Sequence, residues 1–196
     1  PTVWADQNKA ARLSMLEAAV EADPNSLFCH YNLANHLKIL GEPARALTHY
    51  QKCFAGDHTV EWVKLSFPSA AFCANQTGDY QLAIDCCDII LKSHPFMADA
   101  FLRKAEALLN LRQPARVVEL LRPIVGHPKL WAMKQQAMEF SLPYRLGLAL
   151  HQTGAHGEAI QYFEDIAPNT NDVTVFTHLC LCSLHIGQIE RARSAY

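Results

Sequence analysis

Residues 4–22 read as one helix, with Leu13, Leu16 and Val20 at helical spacing and Asp23-Pro24 closing it. Beyond it, a pattern of small, large apolar and turn-forming positions repeats. Gly41, Gly78, Gly154 and Gly187 anchor the register, and Arg112 takes the glycine's place once; the intervals are 37, 34, 42 and 33 residues. Seven residues before each anchor stands Ala34, Ala71, Ala105, Gly147 or Cys180. Five residues after come Ala46, Ala83, Val117, Ala159 and Ala192, and nine after come Tyr50, Cys87, Leu121, Phe163 and Tyr196. Cys53, Ile90, Ile124 and Ile166 follow twelve after the first four anchors. The pattern predicts helical hairpins at about 25–57, 60–94, 96–127 and 141–170, with a partial hairpin at 172–196.

The physics is that of two antiparallel helices. Small residues on either side of the turn let the helices approach closely. The large apolar residue nine after the anchor fills the space between neighbouring hairpins. Glycine ends the first helix because it adopts the left-handed conformation without Cβ strain. A proline near the end of the second helix stops it. One hairpin cannot bury its apolar face alone, so hairpins stack.

Two connections exceed the repeat. Gly56-Asp57-His58-Thr59 lengthens the first. The stretch from Gly126 to Ser141 lengthens another, and its Lys129–Met138 part is compatible with a helix broken near Ser141-Leu142-Pro143. Ser before Pro suits a helix start.

Composition narrows the function classes. Half of the 196 residues are hydrophobic and 18% are charged, which excludes intrinsic disorder. With 17 basic and 19 acidic residues there is no positive excess for nucleic acid. Glycine numbers 8 and Ala and Leu are abundant, which favours an all-α chain. No run approaches the length of a membrane span, and no signal peptide is visible. Both ends read as cuts in a longer protein. The seven cysteines have no regular spacing and no C-x-x-C pair, so they read as packed thiols of a reducing, cytoplasmic compartment. Cys86-Cys87 reads as packing as well.

The register resembles the tetratricopeptide repeat. The best unit is Gly78-Asp79-Tyr80-Gln81-Leu82-Ala83-Ile84 with Leu91-Lys92-Ser93-His94-Pro95; Tyr31-Asn32-Leu33-Ala34-Asn35 through Gly41 and Ala46 to Tyr50 is nearly as good. The resemblance runs from about Ser14 to Tyr196. It implies an all-α superhelix of stacked antiparallel hairpins and a non-catalytic scaffold for protein–protein interaction. The partner it implies is a peptide or protein segment, or a second copy of the chain.

The resemblance also implies a concave groove lined by the first helix of each hairpin. Its positions carry Tyr31, Asn32 and Asn35 in the first full unit and Asp99, Leu102, Arg103 and Glu106 in the third. They carry Tyr144 and Arg145 in the fourth and His178 in the fifth. Asn offers a donor and an acceptor to a peptide backbone, and Arg grips a carboxylate. The carboxylate clamp of the chaperone-tail binders is not expected. Asn35 and Arg103 match it, but its lysine places hold Tyr31 and Asp99 and its second asparagine place holds Ser69.

No catalytic motif, metal site or cofactor is expected. H-E-x-x-H, phosphate-cradling and G-x-S-x-G signatures are missing. His178, Cys182 and His185 share one helix face but fit ordinary repeat positions. The alternative is the repeat region of a larger enzyme such as a glycosyltransferase, serving substrate recognition or oligomerisation. The unit around Asn32, Asn35, Gly41 and Tyr50 is similar to those of protein-modifying sugar transferases, although its asparagines do not recur later.

Overall fold

The computed structural model describes residues 3–132 and 137–194. Tyr196 and residues 133–136 of the long connection lie outside them. The described residues form eleven α-helices and two short helical turns, with no β-strand among them. They divide into two units, Pro1–Ser93 and His94–Tyr196.

In the first unit, α1 (Val3–Ala22) packs on α2 (Leu27–Ile39). The hairpin of α2 and α3 (Pro43–Cys53) is followed by that of α4 (Glu61–Thr77) and α5 (Tyr80–Ser93). In the second unit, α6 (Ala98–Asn110) pairs with α7 (Pro114–Leu121), and α8 (Leu142–Gln152) pairs with α9 (His156–Ile166). The last hairpin is α10 (Val173–His185) with α11 (Ile189–Ser194). Each hairpin's second helix also packs on the next helix of its unit, α3 on α4, α7 on α8 and α9 on α10.

Local chemistry sets the helix starts. Ser26 accepts from the Cys29 amide at 3.3 Å and Asp172 from the Thr174 amide at 2.9 Å, satisfying donors with no partner inside the helix. Pro43 and Pro114 open α3 and α7, where a missing N–H costs nothing.

The hairpin turns share one geometry. Gly41, Gly78, Gly154 and Gly187 have φ between +75° and +83°. The next residue's amide then reaches back to a carbonyl five residues earlier: Glu42 to Leu37 at 3.0 Å, Asp79 to Ala74 at 2.9 Å, Ala155 to Leu150 at 2.9 Å and Gln188 to Ser183 at 2.8 Å. Arg112 makes the same turn at φ +56°, with Gln113 bonded to Leu108 at 2.9 Å. The position therefore imposes the left-handed conformation on a side chain that resists it.

The core is the repeat pattern made solid. Ala34, Ala71, Ala105, Ala46, Ala83, Val117 and Ala159 are fully buried, as are Tyr50, Cys87, Leu121 and Phe163. At Gly147 a Cβ would stand 3.0 Å from the Phe163 ring, so glycine lets that ring lie closer to the backbone of α8 than a side chain would without a shift. The buried His36 finds a partner: its Nε2 donates to the Lys9 carbonyl at 2.8 Å, fastening α2 to α1. Bidentate pairs of Arg122 with Glu158 and of Arg191 with Glu164 join successive second helices in the second unit. At the surface each contributes about 0–1 kcal/mol.

The first long connection is built from local bonds. Asp57 Oδ1 accepts from the Thr59 amide and hydroxyl, both at 2.8 Å, and turns the chain into α4. The second connection differs from the helix its sequence allows. Residues 129–132 lie in a turn and a short parallel bridge, in which Trp131 donates to the Phe96 carbonyl at 3.0 Å and accepts from the Ala98 amide at 2.8 Å. Pro128 and this backbone pairing at the start of α6 outweigh helix propensity. Nor does the chain break at Ser141. A π-helical turn (Ala137–Ser141) runs into α8, with Ser141 itself helical at φ −67°, ψ −40°. No helix among the described residues is long and apolar enough to cross a membrane.

The left-handed turn yields a paired prediction. Gly78→Ala meets no atom within 4 Å, so its loss of about 1 kcal/mol is purely conformational. Arg112→Gly relieves the same strain and gains about 0.5–1 kcal/mol. Urea unfolding of both variants checks the opposite signs.

Acid sensitivity follows from the pair of His30 and His49. His30 Nε2 donates to the Pro24 carbonyl at 3.0 Å, so its Nδ1 accepts from His49 Nδ1 at 2.9 Å. The pKa of His49 is pushed below 6.5, chiefly by burial, then by His30, Arg45 and Lys52 against the opposing Glu17. The unfolded chain therefore binds the proton first, and stability that is complete above pH 6.5 falls as pH drops towards the folded pKa. Thermal unfolding above and below pH 6.5 should show this loss, and His49→Gln should reduce it.

Candidate functional site

The residues marked by the sequence fall in two places, one in each unit. In the first unit, Tyr31, Asn32 and Asn35 lie half-buried on α2. The Tyr50 hydroxyl from α3 donates to Asn35 Oδ1 at 2.8 Å. Lys38 Nζ reaches Ser69 Oγ on α4 at 3.3 Å and sits 5.6 Å from the centre of the Tyr50 ring. Tyr31 packs against Tyr50 and Trp62, with ring centres 6.3 and 5.6 Å apart. Burial pushes the Tyr50 hydroxyl pKa well up, so it stays a donor and fixes Asn35 with its amide nitrogen free to donate outward. This patch is aromatic on one side and presents an amide row and one ammonium on the other.

In the second unit the centre is Glu106 on α6. Arg103 Nη1 donates to its Oε2 at 2.8 Å, and Arg145 Nη2 from α8 donates to its Oε1 at 3.1 Å. All three are partly sheltered, with Glu106 at 19% side-chain exposure. The two guanidiniums share one carboxylate. The Arg145 guanidinium also lies 5.5 Å from the centre of the Tyr144 ring. The Tyr144 hydroxyl donates to Thr174 on α10 at 3.4 Å, and its ring lies 6.2 Å from His178. His178 stacks on Phe163 at 5.6 Å and 15°. Beyond Tyr144, a cleft of 480 Å³ is lined by Glu139, Phe140, Ile166, Asn169 and Thr170.

Arg103, Glu106, Tyr144, Arg145 and His178 are thus brought together by α6, α8 and α10, and Asp99 stands half-buried one turn earlier on α6. Leu102 is a correction: at 6% exposure it belongs to the core, because the apolar stripe of α6 is wider than the groove pattern allows. Lys38 and Trp62 were missed in the first patch. Lys38 lies one turn after Asn35 on α2, and that spacing was the available signal.

All seven cysteines carry free thiols, and Cys53, Cys73, Cys86, Cys87 and Cys182 are buried. Burial raises the Cys53 thiol to about 11 and the Cys86 thiol to about 12, which keeps both protonated and unreactive.

The tetratricopeptide repeat family model matches residues 144–166, the turn and flanking helices around Gly154. No curated protein sequence matches the chain. Among solved structures, the chain is similar to YrrB, described as a TPR protein with an unusual peptide-binding site. Identity is 20%, over 92% of this chain and 88% of that one, with a TM-score of 0.67. It is also similar to MamA from Desulfovibrio magneticus, at 19% identity, 86% and 90% coverage and a TM-score of 0.68. A tetratricopeptide repeat protein from Parabacteroides merdae matches at 15% identity, 97% and 72% coverage and a TM-score of 0.72. The chain carries a tetratricopeptide repeat and has the fold of tetratricopeptide-repeat proteins.

Proposed function

We propose that the chain is a non-catalytic interaction module that binds a peptide or protein segment on first helices of its hairpins. The observation that carries this reading is Arg145. Glu106 and Tyr144 hold its guanidinium in place, yet its bond to Glu106 uses one Nη2 donor and leaves the others to an incoming carboxylate or carbonyl. Asn32 and the Asn35 amide offer comparable groups on α2, beside the rings of Tyr31 and Trp62. Prepositioned donors next to aromatic surface recognise a peptide backbone at small entropic cost. The likeness to YrrB, whose description names a peptide-binding site, supports the same reading. The free cysteines suit a reducing compartment such as the cytoplasm.

A random peptide display library panned on the purified chain tests the proposal. Binders should lose about tenfold or more in affinity with Arg145→Ala or with Asn32→Ala, the loss of one well-placed anchor. Asn35→Ala combines both effects, since it also removes an acceptor from the buried Tyr50 hydroxyl and lowers stability by about 1 kcal/mol. Binders whose affinity is unchanged in both of the first two variants contradict the assignment.

A further inference from the structure

Adjoining the second patch at His178, the second unit gathers four histidines and a cysteine around the turn between α8 and α9. His151 comes from the last turn of α8, His156 opens α9, and His178, Cys182 and His185 come from α10. His151 Nδ1 lies 3.2 Å from His156 Nδ1 and 3.1 Å from Cys182 Sγ. One ligand atom from each of His151, His156 and Cys182 falls within 4.8 Å of the others.

We infer that His151, His156 and Cys182 form a zinc site that fastens the hairpin of α8 and α9 to α10. Zinc–nitrogen bonds of about 2.0–2.1 Å and zinc–sulfur bonds of about 2.3 Å place the ligand atoms of a tetrahedron roughly 3.3–3.6 Å apart. The two short separations here approach that edge without any movement of the backbone. One thiolate and two imidazoles are the borderline-soft donor set that suits zinc, whereas calcium and magnesium take oxygen. Solvent completes the tetrahedron.

Cys182 is fully buried, and on coordination its Sγ proton leaves to solvent as sulfur binds the metal. His185 Nδ1 donates to the Leu181 carbonyl at 2.8 Å, and its ring stands 4.3 Å from that of His156, walling the site on its open side. His178 Nδ1 is buried without a hydrogen-bond partner, and its ring lies 5.5 Å from that of His151.

The site also has a mechanical meaning. A metal bond ties α10 to the turn between α8 and α9. Because zinc binds the folded arrangement, it raises the unfolding temperature.

Metal-free chain titrated with Zn²⁺ by calorimetry, and with Co²⁺ by absorption, tests the site. The expected result is one ion per chain, with thiolate-to-cobalt charge transfer and the visible bands of tetrahedral cobalt. Zinc should also slow amide exchange in α10. Cys182→Ala should abolish the charge-transfer band. His156→Ala, at the surface-facing start of α9, should weaken binding by more than about 100-fold, since even outer-shell partners of a metal are worth 10–100-fold. Circular dichroism confirms that each variant is folded, and His156→Ala carries the test if Cys182→Ala is not. Binding without a thiolate band, binding unchanged in His156→Ala, or no binding overturns the proposal.

Discussion

Each hairpin depends on a residue held in the left-handed conformation, which reverses the chain in the shortest way that still closes the backbone bonds. The amide after it reaches back five residues, and the same bond recurs after Gly41, Gly78, Arg112, Gly154 and Gly187. That turn fixes where the second helix starts relative to the first. The two helices then approach until side chains stop them, and the chain supplies alanine or glycine at the closest points. Gly147 shows the consequence. It admits the Phe163 ring onto α8, and the far side of that ring stacks on His178 of α10. One missing Cβ therefore sets how three helices meet.

The polar patches are by-products of this packing, made specific by a few bonds. A first helix commits one stripe to its own hairpin and another to its neighbour, and what remains faces out. On α2 that remainder holds Tyr31, Asn32 and Asn35, with Asn35 oriented by a hydroxyl from the core. On α6 and α8 it holds two arginines that share Glu106, so neither guanidinium is left to wander. The groups proposed to meet a ligand are thus held by the elements that make the fold, at little further cost in entropy.

Much of this was legible in the sequence because a repeat states the same physics several times. The burial of Ala34, Tyr50, Gly147 and Phe163 follows from position alone, and Arg112 stands in the glycine's place even though arginine resists the turn. What was not legible depends on neighbours distant in the chain. Leu102 stands at a surface position by register but is buried, because its helix packs more broadly than the pattern states. Lys129–Ala132 favours a helix locally but pairs with the start of α6. The arginine pair on Glu106 joins residues 39 apart, and no local pattern announces it. The sequence also placed Cys182 among histidines of its own helix, whereas its nearest imidazole partner, His151, comes from the preceding hairpin.

The central claim is that close approach at small residues couples each helix to its neighbours. Gly147→Leu, followed by hydrogen exchange, tests it most directly, since the new side chain must push Phe163 off α8. The account predicts that amides of α8, α9 and α10 lose protection together. Loss confined to the residues flanking position 147, with α10 unchanged, would contradict it.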